Sequence, residues 1–100
     1  IYADEACFRA GVRPTAVAAR LGRARRRRLY AGIGEALRSA VDLRGTTFDD
    51  YRDGHGEKGL NQHRLLVYGR GGQPCERCGA TLRRTVVAGR TTVYCPRCQR

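Results

Sequence analysis

The sequence predicts a mainly α-helical chain followed by a small β-hairpin whose ends are joined by four cysteines around a metal ion. Three observations support this fold class. Two Cys-x-x-Cys pairs, Cys75 with Cys78 and Cys95 with Cys98, are separated by sixteen residues. The segment between the pairs is rich in β-branched residues on both sides of a glycine-containing turn. Upstream, apolar residues recur at the spacing of an α-helix.

The two cysteine pairs have the spacing of a tetrathiolate zinc site. Each pair lies in a tight turn, because Pro74 and Gly79 flank the first pair and Pro96 lies inside the second. A gap of two residues directs both sulfurs of a pair to one side. We therefore predict one structural Zn²⁺ ion, bound by Cys75, Cys78, Cys95 and Cys98. The alternatives are two disulfides or a redox Cys-x-x-Cys pair; a redox pair needs a βαβ setting, which the sequence lacks.

The segment between the pairs is predicted to form the hairpin, with strands over residues 81–87 and 91–94 and a turn at residues 88–90. The metal would fix the open ends and present the tip, where Arg90 lies, to a partner. Zinc sites of this kind contribute about 10–16 kcal/mol of apparent binding free energy. We therefore expect the hairpin to be unfolded without metal, whereas the helical part can persist.

Residues 1–10 are predicted to form a helix that Gly11 ends in a left-handed conformation. The chain begins at Ile1 without an initiator methionine or a capping residue, so we expect a fragment of a longer protein. The sequence Val12-Arg13-Pro14 cannot continue the helix. A short helix is predicted over residues 15–19.

A longer helix is predicted over residues 24–41. Its apolar stripe consists of Leu29, Ile33, Leu37 and Val41, widened by Tyr30, Ala36 and Ala40. Gly32 and Gly34 each weaken this helix by about 1 kcal/mol relative to Ala, and they permit a close helix crossing. The helical part is expected to leave an apolar patch exposed where a missing domain would pack, and hence to self-associate.

The net charge is +11, with nineteen arginines and one lysine. This excess favours a polyanionic partner, and guanidinium groups suit forked contacts to phosphate. Four arginines, Arg25 to Arg28, fall in the first turns of the longer helix, where cations oppose the helix dipole. Either they bind phosphate, with Arg25 and Arg26 as candidates, or they form a solvated face. The sequence contains no long apolar run or signal peptide, which argues against a membrane partner.

The remaining segments carry weaker patterns. Gly45 is predicted to end the longer helix, and a short helix over residues 46–52 and a glycine-rich loop over residues 53–59 follow. Residues 65–68 are predicted to be a short strand or an apolar bridge, and residues 69–72 to be a link. Cys7 is interpreted as a small core residue. Because four cysteines complete a closed site, His55 and His63 are not expected to bind metal.

Several stretches together resemble the C-terminal half of formamidopyrimidine-DNA glycosylases, which are related to endonuclease VIII. These stretches are Ile1-Tyr2-Ala3-Asp4-Glu5-Ala6, Val12-Arg13-Pro14, Val67-Tyr68-Gly69-Arg70, and the end from Val86-Val87-Ala88-Gly89-Arg90 to Cys95-Pro96-Arg97-Cys98-Gln99. The resemblance implies a helix-two-turn-helix DNA-binding domain over residues 1–68 and a zinc-finger hairpin over residues 69–100. Together these units would hold damaged double-stranded DNA.

The resemblance also implies roles for individual residues. Arg90, in the turn with Gly89, would bind the phosphates that flank the extruded lesion, and Ile1 and Tyr2 would lie at the DNA. The segment around residues 52–62 would close over the extruded base, and its candidate residues are Gly54, Gly56, Gly59, Leu60 and Asn61. This segment lacks the aromatic residue that many members carry beside Gly59, so the alternatives are an endonuclease VIII-like or a divergent lesion preference.

Members of this family use an N-terminal proline amine and a following glutamate, both in a preceding domain. The sequence shows no catalytic constellation of its own. The resemblance therefore implies that the parent protein is a bifunctional DNA glycosylase and abasic-site lyase for oxidised purines, such as formamidopyrimidine or 8-oxoguanine. It would act on DNA in the bacterial cytoplasm, associated with the nucleoid. This chain would bind damaged or abasic duplexes without cutting them. The alternatives are a zinc-ribbon interaction module without lesion specificity and an intact small enzyme.

Overall fold

The computed structural model describes residues 1–46 and 59–100, except for the side chain of His63. Within these residues the chain contains two α-helices and one antiparallel hairpin, as the sequence predicts. The elements in order are α1 (Tyr2–Ala10), a 3-10 helix (Ala18–Arg20), α2 (Arg23–Asp42), a second 3-10 helix (Asn61–Arg64), β1 (Arg83–Val87) and β2 (Arg90–Tyr94). The predicted short helix at 46–52 and most of the predicted loop at 53–59, including His55, lie outside the described residues.

The predicted end of α1 is confirmed. Gly11 has φ 71° and ψ 25°, and its backbone N–H donates to the carbonyl of Phe8 at 3.1 Å. The next N–H, that of Val12, donates to the carbonyl of Cys7 at 3.0 Å. These two bonds satisfy carbonyls that the last helical turn leaves without partners. The short helix predicted over residues 15–19 forms later, as the 3-10 turn at Ala18–Arg20.

Helix α2 packs on α1 through small residues. Gly32, Ala36 and Ala40 recur every four residues and are the buried positions of α2. A Cβ atom at Gly32 would lie 2.8 Å from the carbonyl oxygen of Ala6, so the two backbones approach closely there. The close helix crossing expected from the glycines is therefore present.

The larger apolar residues of α2 lie mainly outside this contact. Ile33, Leu37 and Val41 are 44%, 45% and 75% exposed, and Tyr30 is 82% exposed. The helix turns its row of small residues toward α1, which places the stripe of large residues beside the contact and in part at the surface. The expected exposed apolar patch is thus present along α2.

The hairpin is regular. Its register runs from Arg83 opposite Tyr94 to Val87 opposite Arg90. The connecting residues Ala88 and Gly89 have φ 51° and φ 78°, the left-handed pair of a two-residue hairpin turn. Arg90, which the sequence placed in the turn, is therefore the first residue of β2, directly after the tip.

One hydrophobic cluster connects α1 with the hairpin and the cysteine turns. It contains the buried side chains of Phe8, Val67, Cys75, Leu82, Val93 and Cys95. Two of the four predicted zinc ligands thus share their interior with a helix residue. The division of the chain into units 1–68 and 69–100 stays a prediction, and this cluster contains residues from both.

Residues 65–68 form a bend and not a strand, so the apolar-bridge alternative is correct here. Val67 has no exposed surface and lies in the main cluster. The backbone N–H groups of Leu66, Val67 and Tyr68 donate to the Glu5 carboxylate at 2.8, 3.0 and 3.1 Å. Because this carboxylate satisfies their N–H groups, the segment needs no strand partner. None of the described helices is long and apolar enough to cross a membrane.

Candidate metal centre and nucleic-acid interface

The four predicted ligand sulfurs come together. The Sγ atoms of Cys75, Cys78, Cys95 and Cys98 all lie within 4.8 Å of one another. Cys78 and Cys95 are 3.4 Å apart at sulfur, and Cys75 and Cys98 are 3.9 Å apart. A tetrahedral Zn²⁺ ion with Zn–S bonds of about 2.3 Å requires sulfur separations of about 3.8 Å. The donor set therefore fits a closed tetrathiolate zinc site.

The backbone around the sulfurs is arranged to stabilise negative charge. The N–H of Arg77 donates to the sulfur of Cys75 at 3.4 Å, and the N–H of Cys98 donates to the sulfur of Cys95 at 3.3 Å. A donor aimed at a thiolate favours its charged form. Each Cys-x-x-Cys turn thus contributes one such N–H bond, in addition to its two sulfurs.

Gln99 holds the second cysteine turn in place, and no pattern in the sequence indicates this role. It has no exposed surface. Its Oε1 accepts from the N–H of Cys95 at 2.7 Å, and its Nε2 donates to the carbonyl of Val12 at 2.9 Å. The side chain of Arg13 donates to the carbonyl of Gln99 at 3.1 Å. The metal site is therefore attached to the break that follows α1.

The surroundings of Cys98 favour its protonated thiol. Burial, followed by hydrogen bonds of the Cys98 thiol with Cys78, Cys95 and Cys75, raises the pKa of Cys98 to about 12. A divalent cation among the four sulfurs reverses this effect, because ligand thiols are deprotonated. Burial, together with the charge of Asp4, raises the pKa of Cys7 above its ordinary value. Cys7 is half-buried and is not among the four clustered sulfurs.

The hairpin tip is accessible. Ala88, Gly89 and Arg90 are all exposed, and Arg90 follows the two residues with positive φ. A two-residue turn of this type holds the strand ends in a defined twist. The guanidinium group of Arg90 thus lies on a short projection whose base carries the four clustered cysteines.

The start of α1 lies beside the hairpin. The Oδ2 atom of Asp4 accepts from the N–H of Val93 at 3.1 Å, and burial raises the pKa of this carboxyl. Tyr2 is 37% exposed, and its hydroxyl lies 3.4 Å from that of Thr46. Ile1 and Tyr2 therefore lie on the part of α1 that is joined to β2.

Arg25 and Arg26 lie elsewhere. Tyr2 lines a cavity of about 330 Å³ with Ala40 and other residues near the C-terminal end of α2. Arg26 lies near the opposite end of α2, about 20 Å away along the helix axis. Both arginines are exposed, and Arg26 donates to the carbonyl of Ala19 at 3.3 Å. The structure does not bring them together with Ile1 and Tyr2.

The predicted lesion loop is described only in part. Gly54 and Gly56 lie outside the described residues, and Gly59 is buried. Leu60 is 53% exposed, whereas Asn61 is 4% exposed. The Nδ2 of Asn61 donates to the hydroxyl of Thr46 at 2.9 Å. Asn61 therefore anchors the end of this segment to the region that follows α2, and of the described candidates Gly59, Leu60 and Asn61 only Leu60 faces solvent.

A second basic position beside the hairpin was missed from the sequence. Arg84 donates to the carbonyl of Gly71 at 2.9 Å. With Tyr68, Thr91 and others it lines a cavity of about 180 Å³ that also includes Asp4. The strand alternation of β1 predicts that Arg84 and Arg83 face opposite sides. It could not show which side lies against α1.

Three comparisons relate the chain to known proteins. A family model described as a zinc finger found in FPG and IleRS matches residues 72–100. The formamidopyrimidine-DNA glycosylase of Nitratidesulfovibrio vulgaris is 51% identical over 100 residues, which are all of this chain and 27% of that protein. That of Desulfitobacterium hafniense is 50% identical over 99 residues, which are 99% of this chain and 36% of that protein. The chain thus spans about a third of these relatives.

Solved structures agree with the sequence relatives. The MutM (FPG) protein of Thermus thermophilus matches 99% of this chain and 38% of its own, with a TM-score of 0.90 and 50% identity. A Lactococcus lactis FPG mutant in complex with Fapy-dG containing DNA covers all of this chain and 36% of its own, with a TM-score of 0.91 and 36% identity. The Lactococcus lactis protein bound to abasic-site DNA has a TM-score of 0.90 and 37% identity, and the match covers 100% of this chain and 36% of that one.

Proposed function

We propose, on the premise that the chain matches the C-terminal part of formamidopyrimidine-DNA glycosylases along its whole length, that it is the DNA-binding part of a base-excision-repair enzyme. One observation carries this proposal. The four-sulfur cluster fixes a two-stranded hairpin whose exposed tip ends in Arg90, beside the start of α1. Such an arrangement suits a grip on the sugar-phosphate backbone, which positions a protein without reading base sequence.

We assign one structural Zn²⁺ ion to the cysteine cluster. Cys75, Cys78, Cys95 and Cys98 would hold it, and four thiolates leave no coordination position open for a substrate. When bound, the ion crosslinks the two cysteine turns at the base of the hairpin. Its role in this proposal is mechanical, because it keeps the tip at a fixed distance from α1.

The proposed DNA surface consists of the hairpin tip and the start of α1. Arg90 donates to backbone phosphates. Because Gly89 has no side chain, the DNA strand can approach the hairpin tip closely. Ile1 and Tyr2 extend the surface from the adjacent helix. Leu60 lies at the exposed end of the proposed lesion loop, which would include Gly54 and Gly56. Arg25 and Arg26 could reach only a more distant part of a bound duplex.

The whole protein is proposed to be a bifunctional glycosylase and abasic-site lyase of bacterial cytoplasm. Its nucleophile would lie outside these 100 residues, so no residue of this chain is assigned a catalytic role. Such enzymes act on a base that has been turned out of the duplex. We propose oxidised purines as substrates, since Lactococcus lactis relatives have been solved with Fapy-dG DNA and with abasic-site DNA.

Arg90→Ala tests the proposed contact. We expect weaker binding to every duplex, and a slope of log K against log salt concentration that is smaller by about one, because one phosphate contact is lost. Fluorescence anisotropy titrations at several salt concentrations measure both quantities. Arg20→Ala is the matched control, since Arg20 is equally exposed and lies in the first 3-10 helix. If Arg90→Ala and Arg20→Ala change affinity and slope equally, Arg90 does not hold phosphate.

The alternative function is a zinc-finger interaction module without lesion specificity. The observation that favours it is the matched family model, whose description names two kinds of protein, FPG and IleRS. Titrations with plain and abasic-analogue duplexes separate the two functions, because the repair function predicts tighter binding to the abasic duplex. Borohydride trapping tests for an intact enzyme, and we expect no covalent adduct with DNA.

A further inference from the structure

Three arginines surround a concave surface at the base of the hairpin. The cavity has a volume of about 540 Å³, and its lining includes Arg83, Arg97 and Arg100 together with the hydroxyl-bearing Thr81. Arg83 begins β1, whereas Arg97 lies inside the second cysteine turn. The chain therefore folds back to place cations from two separate segments around one hollow.

These three side chains are unused in the described part of the fold. None of them donates a hydrogen bond, pairs with a carboxylate or stacks on a ring among residues 1–46 and 59–100. Other arginines nearby are engaged, since the guanidinium of Arg77 lies 4.6 Å from the centre of the Phe8 ring. Arg77 and Arg97 occupy equivalent places in the two cysteine turns, so the difference is informative. Packing on Phe8 accounts for Arg77, whereas Arg97 has no such contact in the described part of the chain.

The hollow is separate from the proposed DNA surface. Arg83 lies opposite Tyr94 and Arg84 lies opposite Val93, so these neighbouring arginines face opposite sides of the hairpin. Arg84 faces the side that carries Asp4 and the start of α1. The hollow is therefore on the other side. It is also about 13 Å along β1 from the tip, since Val87 is four positions beyond Arg83.

We propose that this hollow is a second anion site, which binds a phosphate group through the forked donors of Arg83 and Arg97, with Arg100 at its rim. Three cations that have no partner among residues 1–46 and 59–100 repel one another around one concavity, and a multivalent oxyanion relieves this repulsion. Planar guanidinium groups match phosphate oxygens in pairs. The phosphate belongs either to a nucleic-acid strand or to a free phosphate compound. The site stands independently of the function proposed above.

The first test uses inorganic phosphate and the zinc-loaded chain. Nitrogen-15 spectra are recorded during titration with phosphate, and with chloride at equal ionic strength. We expect saturable shifts at Ala80, Thr81 and Arg97 with phosphate alone. The double variant Arg83→Gln and Arg97→Gln should bind phosphate about tenfold more weakly or worse, because it loses two charged donors. The control Arg23→Gln with Arg38→Gln removes equal charge from exposed positions of α2 and should bind phosphate normally.

The second test identifies the source of the phosphate. The two double variants are compared for duplex binding across salt concentrations, after zinc content confirms that each is folded. A slope smaller by about one or two in the hairpin variant, but not in the α2 variant, assigns the hollow to a nucleic-acid strand. An unchanged slope with lost phosphate binding assigns it to a free phosphate compound. No saturable phosphate shifts together with an unchanged slope overturn the proposal.

Discussion

A single buried carboxylate, that of Glu5, connects α1 to the segment that leads into the cysteine turns. It is 3% exposed and accepts the N–H groups of three consecutive residues, Leu66, Val67 and Tyr68. A charge at this depth is stable only when it is fully hydrogen-bonded. The three N–H groups therefore provide the hydrogen bonds that the buried carboxylate needs, and the carboxylate provides an acceptor for each of them.

Glu5→Gln should destabilise the folded chain by about 1.5–3 kcal/mol, because a neutral amide replaces an ionised acceptor of several hydrogen bonds. Glu35→Gln is the control. Glu35 is 54% exposed and pairs with Arg9 at 3.7 Å, so its loss should cost less than about 1 kcal/mol. Urea denaturation of the zinc-loaded proteins measures both changes. If the two substitutions lower the free energy of unfolding equally, the Glu5 carboxylate does not stabilise the fold through its buried hydrogen bonds.

At the scale of elements, the contact between α1 and α2 depends on one glycine. Gly32→Ala should destabilise the chain by about 1–3 kcal/mol, although alanine favours helix, because the new methyl group meets the backbone oxygen of Ala6. Gly34→Ala should instead stabilise it by about 1 kcal/mol. The nearest atom to a Cβ there is Nη1 of Arg38 at 3.0 Å, the movable end of a side chain. Thermal unfolding of both variants measures the two stability changes, which we expect to have opposite signs.

The sequence alone suggested that the helical part can persist without metal, but the shared interior leads us to expect that the hairpin and α1 lose structure together when the metal is removed. Cys75 and Cys95 share a buried cluster with Phe8, so collapse of the sulfur site exposes a helix residue as well. Chelation should therefore reduce the helical circular dichroism signal in addition to unfolding the hairpin. An unchanged helical signal after complete zinc removal would show that α1 is stable without the metal and would contradict this prediction.

Zinc binding should weaken as the pH falls. The free thiol of Cys98 has a pKa raised to about 12, and a bound ligand thiol must be deprotonated. Protons therefore compete with the metal, and lower pH favours the protonated, metal-free form. Competition with a chromogenic chelator, between about pH 8 and about pH 6, measures this dependence. An affinity that does not change over this range would contradict thiolate ligation.

At the scale of the whole molecule, the apolar face of α2 should drive self-association. The side chains of Tyr30, Ile33, Leu37 and Val41 give it a continuous exposed stripe. Sedimentation velocity at increasing concentration should show dimers or larger species, and Leu37→Gln with Val41→Gln should return the chain to monomer. Val86→Gln is the control, because Val86 is 69% exposed on the hairpin. Monomeric behaviour at high concentration would contradict the prediction.

Local patterns predicted much of this fold. The end of α1 was predictable because one residue, Gly11, adopts the left-handed conformation that ends the helix. The cysteine spacing predicted the sulfur cluster directly. Contacts between distant segments could not be read in this way. Nothing near Glu5 or Gln99 in sequence indicates the backbone groups to which they bind. The buried face of α2 could not be predicted from the sequence either. It consists of small residues, whereas a hydropathy pattern is dominated by large apolar side chains.

The interior shared by Phe8 with Cys75 and Cys95 links the chain to its redox surroundings. Thiolates are the form of cysteine that peroxides attack, and oxidised sulfur releases its metal. Oxidative stress would then loosen the helical half through the sulfur cluster. The folded lifetime of the chain would then depend on the supply of reductant.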